Sequence, residues 1–234
     1  MISLMKLSVI MPVYNEQATV TQILEKTMAI PAVKEVVVIN DGSTDSSGKK
    51  IKALIKSKKK GASKVKYFSK KNGGKGSAVV LGLRKVTGDY TMIQDADLEY
   101  DPEDIPELLK PIKSGKAEII YGSRFLGPHS NLLFWHRLGN SLLNLLVNVL
   151  YNTTLSDMET CYKVLPTKLF RDLHISSNKF YMEPEITCKV LKRGYRIFEV
   201  PISYVGRDFS EGKKITWRDG LDALRVIFSL RILP

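Results

Sequence analysis

The sequence predicts an α/β fold of Rossmann-like sandwich type, a mostly parallel central sheet with helices on both faces. Two observations point there. Apolar strand-like runs alternate with helical patterns through the first half at the spacing of βα units. Several of those runs also end in polar or acidic clusters, where open parallel sheets hold their ligands. The length of 234 residues, with no segment that reads as a linker, adds a third point: one domain spanning 1–234.

Each element has its own pattern. Residues 6–13, "KLSVIMPV", read as a buried strand, and 16–29 as an amphipathic helix with Val20, Ile23, Leu24 and Met28 facing inward. Strands follow at 34–40, 64–69, 89–95 and 117–124, with helices at 44–57, 75–86 and 102–115 between them. Pro102, with Asp101, Glu103 and Asp104 around it, marks a helix start, where acidic side chains favour the positive end of the dipole. Past Gly122 the rhythm changes. A polar loop at 123–131 leads to an apolar helix at 137–151, a short strand "CYKVL", a helix at 183–193, a strand at 196–205 and a terminal helix. This half reads as an elaboration of the same sheet, dividing the domain into 1–125 and 126–234.

Composition narrows the function classes. The formal net charge is +12, and twelve lysines stand between Lys49 and Lys75 with no acidic residue among them. Such a run is a solvated face or a partner for an anionic membrane, a nucleic acid or a polyphosphate. No signal peptide is visible, and Cys161 and Cys188 lack metal-ligand or redox spacing, as expected of reduced side chains in the cytoplasm. No window reaches the 18 or so apolar residues of a membrane span. The segments 142–151 and 221–234 come partway, either as packed helices or as helices lying on a bilayer.

The predicted strand ends gather "PVYNE", "NDGSTD", "QDADLEY" and "YGSRF". Asn15 alone could cap a helix, and Asp41–Gly42 alone could form a turn. Asp95 and Asp97 precede their helix and need another explanation. Two carboxylates two residues apart at a strand end suit a hard cation, Mg²⁺ or Mn²⁺, which completes its shell with water and substrate phosphates.

"SVIMPVYNE", "VVVINDGSTD", "NGGKGSAVVLGL" and "MIQDADLEYDPEDIPELL" together resemble family 2 glycosyltransferases of the GT-A fold. The similarity is to the branch of dolichyl-phosphate mannose synthase and related polyprenyl-phosphate transferases, and it covers nearly the whole chain. It implies a nucleotide-sugar site at Pro12, Tyr14, Asn15, Glu16, Asp41, Lys75, Gly76, Asp95 and Ala96. It implies metal ligation by Asp95 and Asp97, and by Glu99, which stands where those synthases carry a glutamine. It implies acceptor-phosphate contacts from Arg124, Arg137 and Arg207, and from Lys213 or Lys214 in a loop of altered spacing, "RDFSEGKKI".

The function implied is an inverting transfer of a hexose, mannose or glucose, from a GDP- or UDP-sugar to a dolichyl or polyprenyl phosphate. A phosphate monoester is already ionised near neutral pH, so it needs orientation and charge screening instead of a base. In that reading Asp97, Arg124, Arg137 and Arg207 carry the catalysis, on the cytoplasmic face of a membrane to which the enzyme is peripherally bound. Rival readings are a hydroxyl-directed transferase with Glu183 or Glu185 as base, and a basic nucleic-acid-binding module. The second lacks interleaved aromatics beyond Tyr67 and Phe68, so no nucleic-acid partner is expected. "PVYNEQ" has no G-x-G-x-x-G and argues against a dinucleotide dehydrogenase.

Overall fold

The computed structural model describes residues 5–130, 133–178, 181–207 and 217–232, the side chains of 217–219 excepted. The predicted α/β architecture is present. Strands β1 (Leu7–Val13), β2 (Val33–Asp41), β3 (Val65–Lys70), β4 (Tyr90–Ile93), β5 (Ile119–Ser123), β7 (Lys163–Pro166) and β8 (Ile197–Pro201) form one sheet in the order β3-β2-β1-β4-β7-β5-β8. Every pairing is parallel except those of β7, which runs antiparallel between β4 and β5. Strands β7 and β8 of the 126–234 half therefore join the sheet of the first half.

Alternation along the strands sets the two faces. Val9, Met11 and Val13 of β1 and Val36 and Val38 of β2 pack with helices α1 (Val20–Ala29), α2 (Ser47–Lys56) and α4 (Ile105–Lys113). Ile10, Val37, Ile39 and Ile93 point the other way, against α3 (Lys75–Leu83), α6 (Thr167–Asp172) and α7 (Met182–Lys192). A third cluster stacks α5 (Phe134–Tyr151) and α8 (Trp217–Ile232) onto α7 through Leu143, Val147, Cys188, Ala223 and Ile227.

Several boundaries shift for local reasons. Helix α1 starts at Val20, not 16, because residues 16–19 form a turn in which Val20 N–H donates to Glu16 O at 2.9 Å. The Thr19 hydroxyl meanwhile donates to Ala96 O at 2.8 Å and ties that turn to the end of β4. The predicted strand at 196–205 breaks after Pro201. Its tail becomes β9 (Tyr204–Val205), which pairs with β6 (His129–Ser130) inside the predicted loop. Among the described residues no helix is long and apolar enough to cross a membrane.

Much of the lysine run is matched from neighbouring elements. Lys59 meets Glu25, Lys66 meets Glu35, Lys70 meets Asp41, and Lys75 meets Asp95. Lys64 donates to the carbonyls of Met28 and Ile30. The absence of acids within the run is thus a matter of where their partners lie in the sequence.

Candidate active site

The carboxyl ends of β1, β2 and β4 open into a cavity of about 480 Å³, closed on its other side by α5, α7 and β9. Of the residues singled out in the sequence, Pro12, Tyr14, Glu16, Asp41, Lys75, Asp95, Ala96, Asp97, Glu99, Arg124, Arg137 and Arg207 line it. Lys213 and Lys214 lie outside the described residues.

Asn15 and Gly76 shape the walls from behind. Asn15 takes a left-handed conformation, φ 53°, and its side-chain oxygen accepts from Thr44 N–H at 2.9 Å, fixing the β1 turn to the β2 turn. Gly76 N–H donates to Asn178 O at 3.0 Å, and a Cβ there would lie 1.9 Å from Ser177 O. Its glycine lets the 177–178 backbone close on α3.

Asp41 builds the start of α3. Its carboxylate accepts from Lys70 Nζ at 2.6 Å and from the N–H groups of Gly73 and Gly74 at 3.0 and 2.8 Å. This bends the chain through Gly74, φ 91°, a left-handed position that suits glycine, and sets Lys75 at the helix start. Lys75 Nζ then lies 2.8 Å from Asp95 and 3.5 Å from Glu183. Burial works against its charge, yet Asp95 and Glu183 hold the ammonium above its ordinary range.

Asp97 is almost fully buried. Burial first, then the charges of Asp95 and Glu99, push its carboxyl up to about 7, with Arg207 pulling the other way. Arg207 Nη2 donates to Asp97 Oδ2 at 2.6 Å, and Nη1 lies 3.4 Å from Glu16. Glu99 shares Arg207 with Asp97 and is tied to β9. Its carboxylate accepts from Tyr204 Oη at 3.1 Å and from Arg207 N–H at 2.9 Å, and its carbonyl accepts from Val205 N–H.

The three expected metal ligands therefore do not converge. Among the described residues no three His, Cys, Asp or Glu side chains form a cation site, and Glu99 serves as a tie to β9. Asp95 and Asp97 still fit a divalent cation. They are hard oxygen donors two residues apart just past β4, and the negative charge that lifts Asp97 is what a cation would relieve.

Arg124, at the end of β5, is buried against Asp157 and lies under aromatic rings, its Cζ 5.3 Å from the Tyr204 centroid and 5.6 Å from that of Phe125. Arg137 sits on the first turn of α5, 5.7 Å from the Phe125 centroid, and is exposed at the cavity mouth. Sequence reasoning missed Asp157, Glu159, Tyr100, Tyr204, His136 and Asn140. Of these, Asp157 anchors Arg124 and the others line the cavity. "SDMETC" carried the one available signal, two acids in a loop leading into a strand.

The two rival bases separate clearly. Glu185 does not line the cavity; although burial opposes its charge, Lys189 and the Ser176–Ser177 turn hold its carboxyl below the usual range. Glu183 does line it, but its Oε2 accepts from the buried Lys163 Nζ at 2.7 Å.

Residues 8–173 match the model of glycosyl transferase family 2. The chain belongs to that family. It is 31% identical over 208 residues to the low-salt glycan biosynthesis hexosyltransferase Agl6 of Haloferax volcanii, covering 86% of this chain and 48% of that protein. Over 114 residues it is 35% identical to the undecaprenyl-phosphate 4-deoxy-4-formamido-L-arabinose transferase of Serratia proteamaculans, covering 47% of this chain and 34% of that protein. The chain thus spans about half, or less, of the curated relatives it matches. Among solved structures, glucosyl-3-phosphoglycerate synthase from Mycobacterium tuberculosis in complex with phosphoglyceric acid superposes with a TM-score of 0.74 at 16% identity. That match covers 98% of this chain and 81% of the other. The same protein in complex with Mn²⁺, uridine diphosphate and phosphoglyceric acid gives 0.73 at 17% identity, covering 98% and 80%. These neighbours establish the GT-A fold for this family 2 chain.

Proposed function

We propose that this family 2 chain transfers a hexose from a GDP- or UDP-sugar to a polyprenyl phosphate, with inversion at the anomeric carbon. The observation that carries the reading is one cavity lined by both the Asp95–Asp97 pair and three arginines, Arg124, Arg137 and Arg207. An acid pair suits the cation of a nucleoside diphosphate, and guanidinium groups suit a second phosphate. One relative is a hexosyltransferase and another an undecaprenyl-phosphate sugar transferase, which supports the transferred group and the acceptor class respectively.

Lys75, Glu16 and Asp41 would frame the nucleotide side, while Arg124 and Arg137 would place the acceptor phosphate opposite it. A divalent cation on Asp95 and Asp97 would neutralise the charge developing on the leaving diphosphate. A phosphate acceptor arrives ionised and needs no base, so the engagement of Glu183 with Lys163 is no handicap.

Helix α5 supports a lipid substrate. Its first turn lines the cavity mouth, and along it Trp135, Leu138, Leu142, Leu145 and Val149 recur at spacings of three and four, all exposed. Leu221, Phe228 and Ile232 of α8 add to the exposed apolar surface. We read α5 and α8 as lying on the cytoplasmic leaflet, with the lipid tail left in the bilayer. The lysine helix α2 packs on the opposite face of the sheet and does not extend that patch.

The test is the product. Incubation with a polyprenyl phosphate, Mn²⁺ and α-linked nucleotide hexoses, followed by mass spectrometry and proton NMR of the lipid extract, should give a β-linked hexosyl phosphate lipid. A retained α-linkage, or a sugar found on a hydroxyl acceptor, would overturn the reading.

A further inference from the structure

Glu159, in the loop before β7, lines the cavity. Its Oε1 atom is buried and has no hydrogen-bond partner. Beside it, Glu183 is buried too, and its Oε1 likewise accepts no hydrogen bond, with Lys75 Nζ 3.5 Å away. A carboxylate oxygen withdrawn from water without a donor is costly, so an unpaired one on a residue that lines a cavity points to a donor that arrives with a ligand.

The local structure holds Glu159 in place. Lys163, fully buried on β7, donates to the carbonyls of Met158 and Thr160, the residues on either side, and to Glu183. A buried ammonium thus fixes the turn that presents Glu159. Its carboxyl feels two charge pairs, Arg124–Asp157 and Lys163–Glu183. Burial, with Glu183 and Asp157 adding negative charge, lifts the carboxyl to about 7 against Lys163 and Arg124. In either protonation state one oxygen can accept a hydrogen bond.

We propose that Glu159 is a specificity residue that accepts a hydrogen bond from a hydroxyl of the transferred sugar, with Glu183 Oε1 beside it for a neighbouring hydroxyl. The inference rests on the nucleotide-sugar reading above and adds the chemistry of the sugar, a polyhydroxy hexose. A site built around such an acceptor discriminates against a sugar lacking that hydroxyl, because the carboxylate is then left buried and unpaired.

The experiment measures dissociation constants by calorimetry, with Mn²⁺, for GDP, UDP, the matching nucleotide hexoses and their monodeoxy analogues. It compares wild type with Glu159→Gln and Glu159→Ala. The expected result is that wild type binds one nucleotide hexose more tightly than its nucleoside diphosphate. Glu159→Ala should lose about tenfold or more on the nucleotide hexose and little on the diphosphate. It should also cease to distinguish one deoxy position. Glu159→Gln, which keeps an acceptor oxygen, should fall between. Diphosphate affinity reports whether each variant retains the folded site. Unchanged hexose affinity and unchanged deoxy discrimination in Glu159→Ala would overturn the inference while leaving the nucleotide-sugar reading intact. Preference for a donor with an ammonium at that position would replace hydroxyl recognition with ion pairing and also overturn it. No wild-type binding of any nucleotide or nucleotide sugar would overturn both.

Discussion

Arg124 is clamped by Asp157 from three directions. Its Nε and Nη2 donate to Oδ2 and Oδ1 at 2.8 and 2.7 Å, and its backbone N–H donates to Oδ2 at 2.9 Å. A two-pronged pair fixes a guanidinium in its plane and leaves its outer edge for another anion. In this cavity that edge is what a phosphate acceptor would meet. Asp157 is thus a positioning residue for an arginine that the sequence had marked by itself.

Breaking that pair from either side should have different consequences. Asp157→Ala leaves a buried guanidinium without its counter-charge and should cost about 3–5 kcal/mol of stability. Arg124→Lys keeps a positive charge but loses the fork, so KM for the lipid phosphate should rise with a smaller change for the donor. Urea denaturation and separate donor and acceptor titrations check the two.

Arg207 and a divalent cation would draw on the same carboxylate, since Nη2 already holds Asp97 Oδ2 at 2.6 Å. Arg207→Gln should therefore bind Mn²⁺ several-fold more tightly, read by electron paramagnetic resonance of free Mn²⁺. The same variant should turn over more slowly if the guanidinium also meets phosphate. Weaker Mn²⁺ binding in Arg207→Gln would contradict this arrangement.

The first half of the fold was legible because each βα unit carries its own periodicity and a polar strand end. β7 was legible as a strand but not as an antiparallel one, since four residues do not encode which neighbours they pair with. Helix α6, six residues long, is too short to show a period. Of the motif residues, Asp95, Asp97 and Lys75 line the cavity. Gly76 admits a loop and Asn15 pins a turn, backbone duties that a motif's spacing does not show. Asp157 and Glu159 showed only as two acids in a loop, because Asp157 takes its role from Arg124, 33 residues earlier, and Glu159 takes its place from the cavity.

At the other end of the sheet Glu35 gives a pH-dependent stability. It is buried and accepts from Ser8 Oγ at 2.6 Å, Lys66 Nζ at 2.5 Å and Thr87 N–H at 2.5 Å. Burial opposes its charge, but these donors bring the carboxyl from its ordinary 4.5 down to about 2. A depressed carboxyl stabilises the fold fully above pH 4.5, and that contribution disappears as pH falls toward 2. With Lys66 half in solvent, Glu35→Gln should cost on the order of 2 kcal/mol at pH 7. The gap to wild type should narrow below pH 4, as followed by urea melts at several pH values.

The exposed stripe of α5 separates membrane docking from chemistry. Trp135→Glu with Leu142→Glu should lower binding to phospholipid vesicles at least tenfold in sedimentation assays, because both side chains are more than half exposed in the folded protein. Nucleotide binding should persist. Unchanged vesicle binding would remove α5 from the membrane account.

Transfer to a lipid phosphate is tested by nucleoside diphosphate release with Mn²⁺ and a nucleotide hexose, with and without a short polyprenyl phosphate. Release should depend on the lipid phosphate and fall by about two orders of magnitude or more in Asp97→Ala, in line with loss of electrostatic stabilisation at the leaving group. Release that is indifferent to the lipid, or that survives in Asp97→Ala, would contradict that transfer.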